Sequence, residues 1–121
     1  SLTISNYISG SFVVNETGLS VISLPNFTNA RNITCINNPV LTSINLQGIQ
    51  TVSQNITFTN NPMLTSITFP DAVDFSLESN QPQIQLQNNA LTTATVNNIL
   101  QKMVTALPLS NKIIFLNGQT P

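Results

Sequence analysis

NITCINNPVLTSINL (residues 32–46) returns 23 residues later as NITFTNNPMLTSITF (residues 55–69), with ten of the fifteen positions identical. A period between 20 and 50 residues marks a stacked architecture, because one repeat cannot bury its apolar face alone. Within each copy, Ile33 and Cys35 match Ile56 and Phe58. This i, i+2 spacing predicts a short strand with one buried face. Asn-Asn-Pro follows at 37–39 and 60–62. It is a turn signal, since Asn tolerates left-handed backbone and Pro fixes φ. Leu41, Ile44 and Leu46, matched by Leu64, Ile67 and Phe69, then supply a second short strand. Asn38 and Asn61 recur at one turn position and are expected to form a structural ladder of amides bonded to backbone.

Working outward, an earlier copy is degenerate. Phe12 and Val14 fit the first strand, and Leu19, Ile22 and Leu24 fit the second. Leu2 and Ile4 fit the end of a preceding second strand. Linking segments carry apolar anchors at Tyr7, Ile8, Phe27, Ala30, Ile49, Val52 and Val73. Beyond Phe69 the phase blurs: Phe75 with Leu77, and Ile84 with Leu86, are candidate strands of one enlarged coil or of two compressed ones. One helix is expected. Thr92 is its N-cap, Leu91 and Val96 staple it, and Val96, Ile99, Leu100, Met103 and Val104 form its apolar stripe, with Pro108 as the stop. A last strand covers Ile113 to Leu116. The fold class is therefore mostly β: a right-handed parallel β-solenoid of about four to five coils with one helix near the C-terminus. Its plan is a single repeat domain over residues 1–121, with degenerate coils at 1–31, clear repeats at 32–54 and 55–77, and a strand–helix–strand piece at 84–118.

The pattern NIT-x-x-NNP-x-LTSI resembles the leucine-rich-repeat superfamily, above all receptor L-domain-like and BspA-like repeats of cell-surface proteins. The C-terminal part, IQLQNNALTTATVNNILQKMV (84–104) followed by IIFLNG (113–118), is similar to repeats in bacterial surface proteins and in viral or phage fibre proteins. The resemblance implies recognition, adhesion or structural display outside the cell, at a cell surface or virion surface. It supplies no catalytic residues. The chain lacks the disulfides of receptor L-domains and is shorter than one.

Composition narrows the chemistry. Arg31, Lys102 and Lys112 stand against Glu16, Asp71, Asp74 and Glu78, for a net charge of −1. Nucleic acid is excluded as an expected partner for want of a basic patch, and no run is long enough to insert in a membrane. Nearly half the residues are Asn, Gln, Ser or Thr, yet regular aliphatics argue against disorder. There is no histidine, so no Ser-His or Cys-His pair forms, and four glycines make no phosphate loop. The chain is read as non-enzymatic and without cofactors. Cys35 could pair between chains or act as a nucleophile, but its match to Phe58 predicts an inward small hydrophobe. Asp71, Asp74 and Glu78 are a weak Ca²⁺ candidate on a loop. Asn15, Asn26, Asn32 and Asn55 open four N-glycosylation sequons, about the number expected by chance at this composition. Outward Thr34, Thr57, Thr59 and Gln85 are too mixed for an ice-ordering Thr array.

The chain opens inside a repeat with no visible signal peptide, as a processed form or as a piece of a longer protein would. Assembly edges are expected at Leu2 and Ile4 and at Ile113 and Phe115, because an uncapped stack exposes strand edges. Head-to-tail stacking with itself is the expected partnership, giving a building block of a fibre or surface appendage. The alternative is a recognition module for an extracellular protein or glycan.

Overall fold

A computed structural model describes residues 1–4, 9–71, 73–74, 83–105 and 113–120. The described chain is mostly strand, in two parallel sheets with one helix. Its elements are β1 (Leu2–Thr3), β2 (Ser9–Asn15), β3 (Val21–Ser23), β4 (Asn29–Ile36), β5 (Ser43–Asn45), β6 (Thr51–Val52), β7 (Ile56–Thr59), β8 (Ser66–Thr68), β9 (Gln83–Gln85), α1 (Thr93–Thr105) and β10 (Ile113–Phe115). The chain alternates between the sheets. One has the order β1-β3-β5-β8, and the other β10-β9-β7-β4-β2, with β6 beside β4.

Register follows the apolar pattern. Ile33 pairs with Ile56 and Cys35 with Phe58. The column runs on from Phe12 through Ile33, Ile56 and Ile84 to Ile114. In the other sheet Leu2, Ile22, Ile44 and Ile67 stand in line. These positions alternate with outward residues, since a strand has period two. All of them except the outermost Leu2 and Ile114 are buried, in one core shared by both sheets. A one-residue slip would turn every aliphatic outward, so the pairing is strongly specified.

The blurred region resolves into one enlarged pass, because β7 pairs directly with β9. The candidate strand at Phe75 and Leu77 lies outside the described residues, as do the anchors Tyr7 and Ile8 and the stop Pro108. The other anchors, Phe27, Ala30, Ile49, Val52 and Val73, are all buried. Two of them belong to strands: Ala30 in β4 pairs with Val52 in β6.

Where a further strand would follow β8, α1 lies against it instead. The Thr92 hydroxyl accepts from Thr95 N–H at 3.1 Å, the N-cap bond the sequence predicts. The Thr95 hydroxyl donates to Thr65 C=O at 2.9 Å. The expected stripe is narrower than five residues. Ile99 and Met103 are buried and Val96 packs against the core, but Leu100 is 39% and Val104 74% exposed. Leu100 and Val104 sit at the outer margin of the arc, turned away from the flank that carries Thr95 and Lys102.

Gly48 is fixed by close approach rather than by φ. A Cβ there would stand 2.0 Å from the backbone oxygen of Pro25. Backbone cannot swing aside as a side chain can. Gly48→Ala is expected to destabilise the fold by about 2 kcal/mol, read by urea denaturation.

Candidate functional site

The turns that leave the longer sheet share one device. Glu16, Asn37, Asn60 and Asn88 all have φ between 56° and 58°, and Gly118 has φ 75°. Each is followed by a polar residue: Thr17, Asn38, Asn61, Asn89 and Gln119. The left-handed residue turns the chain, and its N–H donates to the next rung. Glu16 donates to Ile36 C=O (3.0 Å), Asn37 to Thr59 (3.2 Å), Asn60 to Gln87 (3.1 Å) and Asn88 to Asn117 (3.0 Å).

The residues that follow form the expected ladder. Asn38, Asn61 and Asn89 are fully buried. Asn61 Oδ1 accepts from both the backbone N–H and the Nδ2 of Asn38, at 3.0 and 3.1 Å. Asn89 Oδ1 does the same for Asn61, at 3.1 Å each. Asn38 Oδ1 accepts from the N–H and hydroxyl of Thr17. The free amide hydrogens reach back to Val14, Cys35 and Phe58 carbonyls. The side chains of Asn38, Asn61 and Asn89 are thereby satisfied within the stack, whereas the buried Oε1 of Gln87 has no partner among the described residues. Sequence reading found Asn38 and Asn61. It missed Asn89, although Asn88-Asn89 repeats the dipeptide, because the following Pro is absent. It also missed Gln119, whose Nε2 donates to Leu86 and Leu116 carbonyls.

Glu16 is the poorest fit to this device. A left-handed residue with a long side chain costs roughly 1 kcal/mol, which Gly avoids. Glu16→Gly is expected to raise stability by about 0.5–1 kcal/mol, measured by thermal and urea unfolding.

The sequons divide. Asn15 and Asn26 are exposed, while Asn32 and Asn55 are partly covered. Asn32 Oδ1 accepts from Asn55 N–H (3.2 Å), and Asn55 Oδ1 from Gln83 N–H (3.1 Å). Asn32 Nδ2 donates to Gln54 Oε1 (2.6 Å). This matched pair therefore works as a second, outer amide ladder.

The acidic trio is not gathered among the described residues, where no three His, Cys, Asp or Glu stand together. The Asp71 carboxylate pairs with Lys102 Nζ at 2.8 Å. That hydrogen bond and charge hold it below the usual carboxylate range. Its contribution is present above the ordinary Asp pKa and is lost as pH falls through the lowered value. With Asp71 fully exposed, the effect is slight. The backbone of Asp74 is tied to Gln50 and Val52. Glu78 lies outside the described residues.

Cys35 is fully buried, as its repeat position predicts, and burial pushes its thiol up to about 12. The fold favours the protonated thiol. Stability is complete below the unfolded pKa of about 8.5 and declines as pH rises toward the folded value, by up to about 1.4 kcal/mol per pH unit. Against a Cys35→Val reference, wild type is expected to lose about 2 kcal/mol between pH 8 and pH 10.5 in urea denaturation. Thiol reagents are expected to react only as fast as the chain opens.

Both outer strands of the longer sheet, β2 and β10, pair on one side only among the described residues. The outward row across this sheet reads Val13, Thr34, Thr57, Gln85, Phe115. Its two ends are apolar, with Val13 58% and Phe115 38% exposed. Inward Ile114 and Leu116 are only partly covered, as are Leu2 and Ile4 at the other end. Along β10 and just past it, the residues that pack against the core are thus Ile114 and Leu116, while Ile113 and Phe115 lie on the alternate face. Two shallow grooves flank α1, of about 230 and 280 Å³, and both are lined by Asn98 and Lys102. No described helix is long and apolar enough to cross a membrane. A scan of protein-family models, a search of curated proteins and a search of solved structures found no match.

Proposed function

We propose that this chain is a segment of a right-handed solenoid of leucine-rich-repeat type. It works as a non-enzymatic structural or adhesive element outside the cell, on a cell or virion surface, as a building block or segment of an appendage or fibre that assembles through its solenoid ends. The observation that carries the reading is the device of a left-handed residue followed by a polar ladder residue, which recurs five times from Glu16-Thr17 to Gly118-Gln119. Its bonds run between rungs, so the investment of side chains goes into stacking. The right hand follows from the strong chirality of parallel crossovers. Near-zero net charge leaves little repulsion between stacked subunits.

The test is negative-stain microscopy with light scattering on the purified chain. Fibres or a ladder of oligomers are expected as concentration rises. Discrete monomers at every concentration would contradict assembly and favour the recognition reading. That second reading draws on the grooves beside α1, where Gln47, Ser66, Thr68, Asn98 and Lys102 offer hydroxyls and amides suited to a glycan.

A further inference from the structure

We infer that β10 of one copy adds to β2 of a second copy in parallel, with Phe115 beside Val13 and Gly118 N–H donating to Asn15 C=O of the second copy. The inference rests on the assembly reading and assigns its interface.

The rungs set the register. Each left-handed residue donates to the residue that precedes the next left-handed residue: Ile36, Thr59, Gln87 and Asn117 in turn. Gly118 is the fifth left-handed residue of this series, and the carbonyl in the equivalent position on another copy is that of Asn15, before Glu16. The inner ladder continues in the same frame. Thr17 Oγ1 spends its hydrogen on Asn38 Oδ1 (2.8 Å) and accepts from Leu19 N–H (3.4 Å), which leaves one lone pair for the Gln119 N–H of the neighbouring copy. Inward Ile114 falls beside Phe12, and Leu116 beside Val14, completing two columns that the stack already builds. The outward row would bring Val13 and Phe115, its two exposed apolar ends, into contact.

The ends are stepped in complementary ways. The shorter sheet reaches one rung beyond β2, through β1, and the longer sheet reaches one rung beyond α1, through β10. A head-to-tail neighbour sets its β1 alongside β10, so that together they make one rung across both sheets. The exposed flank of α1, Leu100 and Val104, turns away from the preceding pass, where Thr95 meets Thr65 and Lys102 meets Asp71. This flank would face Leu2 and Ile4 of the neighbour. The contact is heterologous and does not close, so it propagates.

The experiment mixes Val13→Cys and Phe115→Cys chains, both carrying Cys35→Ala, with a short thiol cross-linker. Cross-linked dimers are expected, far above the yield from Ser43→Cys mixed with Phe115→Cys. Val13→Pro removes an edge donor that β4 does not use. It is expected to raise the midpoint concentration of assembly roughly tenfold, as loss of one or two backbone bonds would. Oligomers that form without the 13–115 cross-link, or that ignore Val13→Pro, overturn this interface and leave the assembly reading standing. A chain that stays monomeric in sedimentation at every concentration overturns both.

Discussion

Asn61→Ala is expected to cost about 3–5 kcal/mol in urea denaturation, although it removes no apolar surface. Asn61 is the middle of the inner ladder. Its Oδ1 is the acceptor for the backbone N–H and the side-chain amide of Asn38, and its Nδ2 serves Cys35 C=O and Asn89 Oδ1. Alanine leaves the buried Asn38 N–H without its acceptor, at roughly 1–3 kcal/mol, and strips one bond each from Asn38 Nδ2, Cys35 C=O and Asn89 Oδ1. Water cannot compensate easily between tightly stacked rungs. Asn61→Asp separates shape from hydrogen bonding. It keeps the acceptor, loses the donor and buries a charge, so it is expected to be at least as damaging at neutral pH and milder once the carboxyl is protonated. Equal loss in Asn61→Ala and in an exposed-turn substitution such as Pro62→Ala would mean that the ladder carries no particular load.

Phe58→Ala is expected to cost about 3–5 kcal/mol by the same assay, through a cavity rather than orphaned bonds. Phe58 is fully buried and stands in register with Cys35. Parallel rungs are held at fixed spacing by backbone bonds, so neighbours cannot collapse into the space. Cys35→Val, close in volume at the adjacent rung, should cost less than about 1.5 kcal/mol. The contrast between adjacent members of one column tests whether they are packed as a column. Combining Phe58→Ala with Asn61→Ala should give less than the sum, because Asn89 Nδ2 bonds the Phe58 carbonyl and the two sites share a rung.

The repeat made much of this fold legible. Ile33, Cys35, Ile44, Ile56, Phe58 and Ile67 announce both sheets, because a period-two pattern copied at a fixed distance leaves one arrangement that buries them all. The degenerate copy was readable for the same reason, with Phe12, Val14, Ile22 and Leu24 all in the core. What the sequence hid were features that depend on backbone conformation or on substitution within the pattern. Glu16 carries no hint of a left-handed φ, and Gln119 replaces the ladder Asn with a longer amide. Neither residue type announces such a role. Helical spacing draws the apolar stripe of α1 too wide, because spacing alone does not say which margin another element covers. Asn32 and Asn55 read as glycosylation sequons, while their side chains bond the next rung. The motif is three residues long, and it specifies neither role.

The central claim is that successive passes of the chain lie directly on one another as parallel, in-register rungs. Nuclear Overhauser spectra of a sample labelled only at isoleucine methyls test it most directly. Cross-peaks are predicted from Ile33 to Ile56 and from Ile56 to Ile84, and likewise from Ile22 to Ile44 and from Ile44 to Ile67, with no direct peak between Ile33 and Ile84. Absence of the Ile33–Ile56 peak, or a pattern linking Ile33 to Ile84 past Ile56, would contradict it.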